Sequence, residues 1–399
     1  MTKEIIDFYF GLFERGVLPE LYSNISYSHN NIIISRTEWS EEKSLSANKP
    51  VSLVKYVPEY LKPHLKKHLK AIKFFEIKGY AITLNGVTSI EEYLAEQIKR
   101  KLRISLLNRK KRLEQCFNIR YEVFHNHITK EEYSILMEAL RKLLVRRFEQ
   151  RNEVNERLLD WNKYYDLFFT LINTKKASLF VIYESNKPIA LSLNYHFDKV
   201  FFGAISSYDI DYGKFGLGQI LVYKRLEWCI EQKFDVFDMS MGNPDYKKKW
   251  CNTVYDFEHH IVYSPDSLSS SFYAKSIAIR MRTKMYLKSK NIHILYKKIK
   301  TNLKVLSKND KEPNNTRERI KYTIEPENNI KTYNNLTKVD YNTSKFSFLK
   351  QYACEFLYVT KEHILNTEIF EVEKERIYVI KGKDHSSKVI FEFHKNAKA

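Results

Sequence analysis

The segment 211–219 reads DYGKFGLGQ, and it decides the fold because it places three glycines directly before a predicted helix. Three strand candidates precede it, at 177–183, 188–197 and 200–207. Their connections are short and polar, which predicts antiparallel hairpins. The apolar spacing predicts a helix over 219–232 and a short strand over 235–240. Hairpins, glycine loop, helix and strand in this order indicate an α/β core.

The glycines of this segment also have a chemical consequence. A glycine between a strand and a helix lets the backbone approach a ligand closely. The first turn of the helix then offers unpaired N–H groups and the positive end of the helix dipole, which together suit a pyrophosphate. The spacing is neither the dinucleotide fingerprint nor a Walker loop. A glycine turn that merely caps an ordinary helix is the alternative interpretation.

The flanking regions extend the mixed pattern of helices and strands. Helices are predicted over 60–72, 89–115, 130–151 and 155–173, and strands over 31–35, 50–55, 74–84, 117–124 and 253–263. From 273 to 304 the chain carries ten Lys and Arg residues and no acid, with apolar residues between them. This predicts a basic amphipathic helix, which suits an anionic membrane, an RNA backbone, or packing against the core with a solvated outer face.

Composition narrows the class of protein further. The 399 residues are 43% apolar, enough for two or three domains with sizeable cores. No run approaches the roughly 18 apolar residues of a membrane span, which predicts a cytoplasmic protein, with a peripheral place at the inner membrane face left open. The four cysteines form no CxxC pair, which predicts reduced thiols, no zinc site and no disulfide-linked partner.

The net charge of +19 suits an anionic partner. Lys, Asn, Ile and Tyr are abundant together, however, and that usage is also typical of an AT-rich genome. The net charge alone therefore does not identify a binding partner.

An ordered set of motifs runs through residues 95–255. Its members are Arg100, Arg103, Arg109 and Leu113 before the strand at Phe117, then Tyr208 and Asp209, FGLGQIL at 215–221, Phe237 and Asp238, Gly242, Asp245, Tyr246, Lys247 and Trp250. In this order they resemble the GNAT acyltransferase fold, and in particular its FemAB-type and CelD-like acetyltransferases. The resemblance covers less than half of the chain.

The resemblance implies a GNAT-like mixed sheet, built as two tandem halves of which the first is degenerate. It also implies acyl transfer from a thioester such as acetyl-CoA. The pantetheine arm of the donor would enter between the strands at 200–207 and 235–240, and its pyrophosphate would rest on the loop 213–219. The donor-binding residues so predicted are Ser207, Lys214, Gly216, Leu217, Gly218 and Gln219.

One departure from the family pattern leaves the donor open. The family pattern is Arg/Gln-x-x-Gly-x-Gly/Ala, whereas this chain has GKFGLG at 213–218, so that Lys214 is the nearest cation in sequence. Fem-type relatives use aminoacyl-tRNA instead of acyl-CoA, and that donor stays an alternative.

Four side chains are candidates for the proton transfers of acyl transfer. Asp238, at a strand end, is the candidate base, and Tyr246 would protonate the departing thiolate. Lys247 would stabilise negative charge, and His196 on the preceding hairpin is a further candidate. For Asp238, Tyr246 and His196 a purely structural role is the alternative. A catalytic Cys251 is not expected, because no Cys-His-Asn set is visible. A metal at His259 and His260 is not expected either, because adjacent strand residues face opposite ways.

The sequence thus predicts an acyl-CoA-dependent N- or O-acyltransferase, an acetyltransferase in the first instance. Its acceptor would be an amino sugar, a nucleotide sugar or a polysaccharide precursor. An aminoacyl-tRNA-dependent transferase, and a non-catalytic protein that binds nucleic acid or membrane, are the alternatives. The predicted regions are an N-terminal half (1–95), the GNAT-like domain (96–265), the basic helix (266–305), a linker (306–343) and a small β-rich region (344–399).

Overall fold

The computed structural model describes residues 3–34, 51–242, 244–289, 321–327 and 336–392. They form two compact units that interleave along the chain. The first unit contains the described residues of 1–86, 195–203 and 233–289, and the second contains those of 87–194, 204–232 and 321–392. Each unit combines helices with strands, so the predicted α/β class is confirmed, and the division is consistent with a two-half fold.

The first unit is built on a mixed sheet. Its elements are Lys3–Asp7 (β1), Phe8–Arg15 (α1), Tyr22–Tyr27 (β2), Val51–Pro58 (β3), Leu61–Leu65 (β4), Lys70–Thr83 (β5), Val236–Asp238 (β10), Pro244–Trp250 (α8), Thr253–Tyr263 (β11) and Leu268–Ser289 (α9). The sheet order is β1-β3-β11-β5-β10, and β2 and β4 form a separate ribbon. β10 pairs in parallel with residues 200–202, and this pairing ends at Asp238.

Aromatic side chains fill the core of the first unit. The ring of Tyr9 on α1 lies 4.8 Å from that of Phe202 and 5.1 Å from that of Phe257. Local sequence fixes both ends of α1. Asp7 accepts a hydrogen bond from the backbone N–H of Phe10, and Gly16 ends the helix in the left-handed conformation that glycine favours.

The second unit contains the longer helices. Its elements are Ile90–Gln97 (α2), Arg100–Cys116 (α3), Ile119–Phe124 (β6), Lys130–Arg151 (α4), Glu156–Leu159 (α5), Trp161–Asn173 (α6), Ala177–Glu184 (β7), Leu217–Glu231 (α7), Thr337–Val339 (β13), Lys350–Thr360 (α10), Lys321–Pro326 (β12), Glu368–Glu373 (β14), Ile377–Lys381 (β15) and Ser386–Glu392 (β16). Two strands, Lys187–Phe197 (β8) and Val200–Tyr208 (β9), contribute residues to both units.

A second sheet belongs to the C-terminal part of the second unit. Its strand order is β12-β16-β15-β14-β13. The helix α10 packs beside α3, where Arg112 donates a hydrogen bond to the carbonyl oxygen of Tyr358 at 2.9 Å. The ring of Tyr358 also lies 5.2 Å from that of Phe215. The C-terminal region is therefore part of the packing around the loop that precedes α7.

Several predicted elements differ from those observed. The helix predicted over 60–72 is wrong, because the chain there forms β4 and the start of β5. Leu61 and Pro63 are buried while Lys62 between them is exposed, which is the alternation of a strand. Apolar residues at 61, 65 and 69 fit a helix equally well, and only Pro63 argues against one.

The predicted regions also differ in part from the observed ones. The predicted linker contains two strands, β12 and β13, in its described part, and residues 306–320 and 328–335 lie outside the described residues. The basic helix is observed to Ser289, and its predicted continuation to 305 also lies outside them. The C-terminal region holds the predicted strands and also α10, a buried helix that was not predicted.

Candidate functional site

The loop that leads into α7 is the centre of the second unit's candidate site. After β9 the residues Ile210–Phe215 form a turn of 3-10 helix, and Gly216 follows with φ of 71°. This left-handed conformation is one that residues with a Cβ atom rarely adopt. We call residues 210–219 the glycine loop. Gly216 allows the chain to turn sharply and begin α7 at Leu217.

The first turn of α7 has no side-chain cap. Gly216 occupies the N-cap position and cannot supply a side-chain acceptor. The N–H of Gln219 donates to the carbonyl oxygen of Gly216 at 2.9 Å. The N–H groups of Leu217 and Gly218 have no acceptor within the helix, as helix geometry requires. They add to the positive end of the α7 dipole, a combination that favours an anion.

Arg109 on α3 places a guanidinium beside this helix start. A Cβ atom added at position 216 would lie 3.1 Å from Nη1 of Arg109. Nε of Arg109 is buried and finds no hydrogen-bond partner among the described residues. A buried donor without a partner is costly, because it loses its bonds to water and gains none in exchange. Arg109 therefore supplies a cation with unused hydrogen-bonding capacity next to the glycine loop.

Tyr208 packs against the same helix start, and Ser207 precedes it on β9. A Cβ atom at position 218 would lie 2.8 Å from the ring of Tyr208, so only glycine fits there with the ring in place. The guanidinium of Arg147 packs over this ring at 4.3 Å. Ser207 is fully buried, and its hydroxyl has no partner in the described part of the chain. The buried polar atoms of this unit that have no partner among the described residues thus include Nε of Arg109 and Oγ of Ser207.

A network of ion pairs fixes the beginning of the glycine loop. Arg146 binds Asp211 through both of its terminal nitrogens, at 2.6 and 2.9 Å, and binds Asp209 at 2.7 Å. Nζ of Lys187 lies 3.4 Å from Asp209. Burial raises the pKa of Asp211, and the Arg146 guanidinium opposes that rise. These charges neutralise one another and hold the turn, which leaves the later glycines free to meet a ligand.

Lys214 lies at a different part of the loop. Its side chain is exposed and borders a cavity of about 430 Å³ that is otherwise lined by β12, β16 and α10. The cation that the structure places against Gly216 is Arg109, which the sequence identified only as part of the family's opening segment. No spacing rule could have paired α3 with α7, because this contact depends on tertiary packing. The donor-binding role of Lys214 stays a prediction.

In the first unit Asp238 is the centre of a buried hydrogen-bond cluster. Its Oδ2 accepts hydroxyl hydrogen bonds from Tyr9 at 2.5 Å, Tyr60 at 2.7 Å and Tyr255 at 2.7 Å. Its Oδ1 accepts the backbone N–H of Ser240 at 2.6 Å. We call these five residues the Asp238 cluster. The three tyrosines come from distant parts of the sequence, so no local motif could have identified them.

The Asp238 carboxylate is fully buried. Burial raises its pKa, while the hydrogen bonds from Tyr60, Tyr9 and Tyr255 act in the opposite direction. Four donors nearly fill the acceptor capacity of a carboxylate. Such an arrangement can fix the end of β10 and the turn after it. The base role predicted for Asp238 stays a prediction.

Lys247 and Tyr246 lie just beyond the same turn. Lys247 is buried, and its ammonium donates hydrogen bonds to the carbonyl oxygens of Ser240 at 3.2 Å and Met241 at 2.5 Å. Ser240 has φ of 64°, so the turn is held in a conformation that needs support from its neighbours. Tyr246, in contrast, is 39% exposed. The structure therefore brings Asp238 and Lys247 to one turn and leaves Tyr246 at the surface.

The remaining candidates lie in packed surroundings. His196 is buried, with its ring 5.3 Å from that of Phe201 and 5.2 Å from that of Phe234. Cys251 is half-buried, and burial raises the pKa of its thiol to about 12, which disfavours the nucleophilic thiolate at neutral pH. Within the described residues no group of His, Cys, Asp and Glu is arranged to hold a metal ion. Nor does any helix described here have the length and apolar character to span a membrane.

Comparison with known families gives one match. Residues 100–248 match the model of the acetyltransferase (GNAT) domain. Residues 100–248, less than half of the chain, are therefore similar to an acyltransferase-like GNAT domain, as the sequence predicted. Domains of this kind generally use acyl-CoA. The matched range includes Arg109, the glycine loop and the Asp238 turn. Comparison with curated protein sequences finds no match.

Solved structures give more distant similarities. FemX is 10% identical with a TM-score of 0.39, over 55% of this chain and 74% of its own. L-PGS from Bacillus licheniformis is 13% identical with a TM-score of 0.35, over 57% of this chain and 73% of its own. A tandem GNAT protein from the clavulanic acid biosynthesis pathway is 9% identical with a TM-score of 0.29, over 53% and 62%. All three TM-scores lie below 0.5, too distant to transfer a substrate.

Proposed function

We propose that this protein is an acyltransferase that takes its acyl group from an acyl-CoA thioester and binds the donor's pyrophosphate at the first turn of α7. The observation that carries the proposal is the Arg109 guanidinium beside left-handed Gly216, at a helix start without a side-chain cap. The match of residues 100–248 to the GNAT acetyltransferase domain supports the same donor. The helix start and the cation act together on one anion.

The chemistry of the two groups fits a pyrophosphate. Backbone N–H groups at Leu217 and Gly218 are fixed donors that need no reorganisation when an anion arrives. A guanidinium adds charge-assisted hydrogen bonds in a planar fork that matches two phosphate oxygens. Because Nε of Arg109 is buried without a partner among the described residues, a bound phosphate would remove a cost that the free protein carries.

Ser207 extends the proposed donor site along β9. The pantetheine arm of CoA carries amide groups that need hydrogen-bond partners once they leave water. The hydroxyl of Ser207 is buried and has no partner in the described part of the chain, and Ser207 lies on β9, the strand that leads into the glycine loop. We therefore assign Ser207 to the arm of the donor and Arg109 to its pyrophosphate.

The proposed reaction is an ordinary acyl transfer from a thioester to a nucleophile. The acceptor's nitrogen or oxygen attacks the thioester carbonyl carbon and releases its proton to solvent, the carbon–sulfur bond breaks, and CoA leaves as a thiolate that takes up one proton. Among the four candidates of the first unit, Tyr246 has the most accessible ionisable group. We assign the protonation of the departing thiolate to Tyr246. We assign a structural role to Asp238 and Lys247, which hold the turn at 240–241.

The acceptor follows from the FemAB-type and CelD-like resemblance of the sequence. We propose an amino sugar, a nucleotide sugar or a polysaccharide precursor, modified at nitrogen or oxygen. An acetyl group is the first acyl group to test. Transfer from aminoacyl-tRNA is the competing reaction, which the basic surface of α3 also suits. It uses a different donor and so can be separated by experiment.

Calorimetric titration of the full chain with acetyl-CoA tests the donor. We expect micromolar binding by the unaltered protein and about tenfold weaker binding by Arg109→Gln, a loss of about 1.4 kcal/mol. Arg141→Gln is the matched control, because it makes the same change at an exposed arginine on α4, outside the glycine loop. Absence of binding at millimolar acetyl-CoA, together with salt-sensitive binding of tRNA, would replace this donor by aminoacyl-tRNA.

A further inference from the structure

The helix α9 has two apolar sides. Its inner side carries Ala274, Ile277 and Ala278, which are buried in a cluster with Val51, Leu53, Phe74 and Ile261 of the first unit's sheet. Met281 and Met285 pack against the same cluster. This side anchors the helix to the unit. The sequence alternative of a helix packed against the core is therefore correct for this one side.

The outer side of α9 is also apolar, although it faces solvent. Leu268 is 76% exposed, Phe272 73%, Ile279 65% and Tyr286 62%. Phe272, Ile279 and Tyr286 are seven residues apart, so they lie along one side of the helix with a drift of about 20° per step. We call these four residues the outer stripe. Large apolar residues in a continuous line on the surface are characteristic of an interaction site.

Cations border the outer stripe, and no acid interrupts it. Lys275 and Arg282 lie on one side of the stripe and Arg280 on the other, with Lys284 beyond it, and all four are exposed. Residues 267–289 contain no Asp or Glu at all. The exposed side of the helix is therefore an apolar line between two rows of positive charge.

Three kinds of partner can be compared with this apolar line and its flanking cations: a nucleic acid, a second copy of the helix and an anionic membrane. A nucleic acid would pair its phosphates with the cations and could stack bases on Phe272 and Tyr286, but it would leave the exposed Leu268 and Ile279 without an apolar partner. A second copy of this helix would bring the same cations together without any acid to pair with them. An anionic membrane surface satisfies both features, because the apolar side chains enter the acyl boundary while Lys and Arg remain among the headgroups.

We propose that the outer stripe of α9 docks the protein on the surface of an anionic phospholipid membrane. The helix lies in the plane of the membrane, held by its inner side to the first unit. Phe272 and Ile279 insert below the headgroups, and Lys275 and Arg282 bind phosphate groups of the lipid. This function concerns where the protein works and does not depend on the identity of the acyl donor.

Sedimentation with lipid vesicles tests the proposal with the full chain. The probes are vesicles of phosphatidylcholine alone and vesicles with about one third phosphatidylglycerol. We expect binding only to the anionic vesicles. Phe272→Ser combined with Ile279→Ser should weaken it at least tenfold, and Lys275→Glu combined with Arg282→Glu should do the same. All four residues are exposed or outward-facing, so circular dichroism and thermal unfolding should show unchanged folds.

Matched controls separate the stripe from general surface effects. Ile135→Ser changes an equally exposed helical isoleucine elsewhere, and Lys66→Glu with Lys67→Glu reverses two exposed charges of the first unit. Both controls should bind anionic vesicles like the unaltered protein. Three results would overturn the proposal: vesicle binding unchanged in both stripe variants, RNA binding lost with the charges but kept in Phe272→Ser, or a dimer that Ile279→Ser dissociates.

Discussion

Both the region around the start of α7 and the region around Asp238 contain buried polar groups, but only those around Asp238 are hydrogen-bonded. Nε of Arg109, beside the glycine loop, and the hydroxyl of Ser207, on the preceding strand β9, have no partner in the described part of the chain. Around Asp238, three tyrosine hydroxyls and one backbone N–H converge on a single carboxylate. A satisfied network stabilises a fold, whereas unpaired buried donors impose a cost that a ligand can remove.

This difference in hydrogen bonding distinguishes residues that can bind a ligand from residues that support the fold, and Arg109 and Asp238, one of each kind, lie within the matched range 100–248. The glycine loop is held at its beginning by the ion pairs of Arg146, and its later part offers unpaired groups. The Asp238 cluster offers none, and its carboxylate is fully buried. We therefore interpret the glycine loop as the binding region of the second unit and the Asp238 cluster as the support of the turn that follows β10 in the first unit. The predictions that follow measure this separation through stability and donor binding.

The largest effect is expected for Asp238→Asn. An amide cannot accept all four hydrogen bonds, and its NH₂ group adds donors to a site that already contains only donors. We expect the free energy of unfolding to fall by about 3 kcal/mol, as for buried polar groups left unpaired. Urea unfolding measures the change, and Glu20→Gln at an exposed position is the control. A well-folded Asp238→Asn variant without turnover would instead make Asp238 a catalytic residue.

A smaller effect with a defined pH dependence is expected for Glu258. Hydrogen bonds from His260 and Lys73 lower the pKa of Glu258 from its usual value of 4.5 to about 2. The ionised carboxylate thus stabilises the fold above about pH 4.5, and this contribution is lost as the pH falls towards 2. Glu258→Gln should cost roughly 1–2 kcal/mol at pH 7, after allowance for solvent screening, and nothing near pH 2. Equal losses at both pH values would contradict this origin.

Arg109→Gln should behave in the opposite way to Asp238→Asn. It removes a buried donor that has no described partner, so we expect the free energy of unfolding to change by less than about 0.5 kcal/mol. The same variant should lose acetyl-CoA affinity. Urea unfolding and calorimetry on one preparation measure both quantities. A large loss of stability would show that Arg109 belongs to the packing of α3 and α7 rather than to a binding site.

The smallest loss of stability is expected for Ser207→Ala. Replacing an unpaired buried hydroxyl by a methyl group removes its desolvation cost, so stability should stay the same or rise by about 0.5–1 kcal/mol. Donor affinity should fall, because the pantetheine arm loses its partner. Ser26→Ala is the contrasting change, since Ser26 is buried and its hydroxyl lies 2.9 Å from Nε2 of His64. Ser26→Ala should lower the free energy of unfolding. A larger loss of stability in Ser207→Ala than in Ser26→Ala would contradict the assignment of Ser207 to the binding region.

Local patterns predicted much of the fold, because local interactions set those elements. The helix predicted over 130–151 begins after Thr129, which accepts a hydrogen bond from the N–H of Glu132, and ends at Arg151. The strand predicted over 253–263 has the same bounds in the structure. In 60–72 the apolar spacing suited helix and strand equally, and pairing with β2 decided the outcome. Such pairing cannot be read from a short window.

In the candidate site, too, the features set by local sequence were predictable and those set by tertiary packing were not. Gly216 and the start of α7 were predictable, because a glycine before an apolar helix is a local signal. The contact of Arg109 with Gly216 was not, since it joins two helices that are far apart in sequence. The donors to Asp238 were unpredictable for the same reason, as Tyr9 lies 229 residues away. Tertiary packing, not composition, decides which polar groups become satisfied.

Glycine-selective ¹⁵N labelling tests the central claim most directly, because the chain has only ten glycines and gives a sparse amide spectrum. On addition of acetyl-CoA we predict that the resonances of Gly216 and Gly218 shift and saturate together, while those of Gly86 and Gly382 stay in place. The single variants Gly86→Ala, Gly216→Ala, Gly218→Ala and Gly382→Ala assign these four resonances, because each variant lacks one peak. Unchanged Gly216 and Gly218 resonances at millimolar acetyl-CoA would contradict a donor site at the first turn of α7.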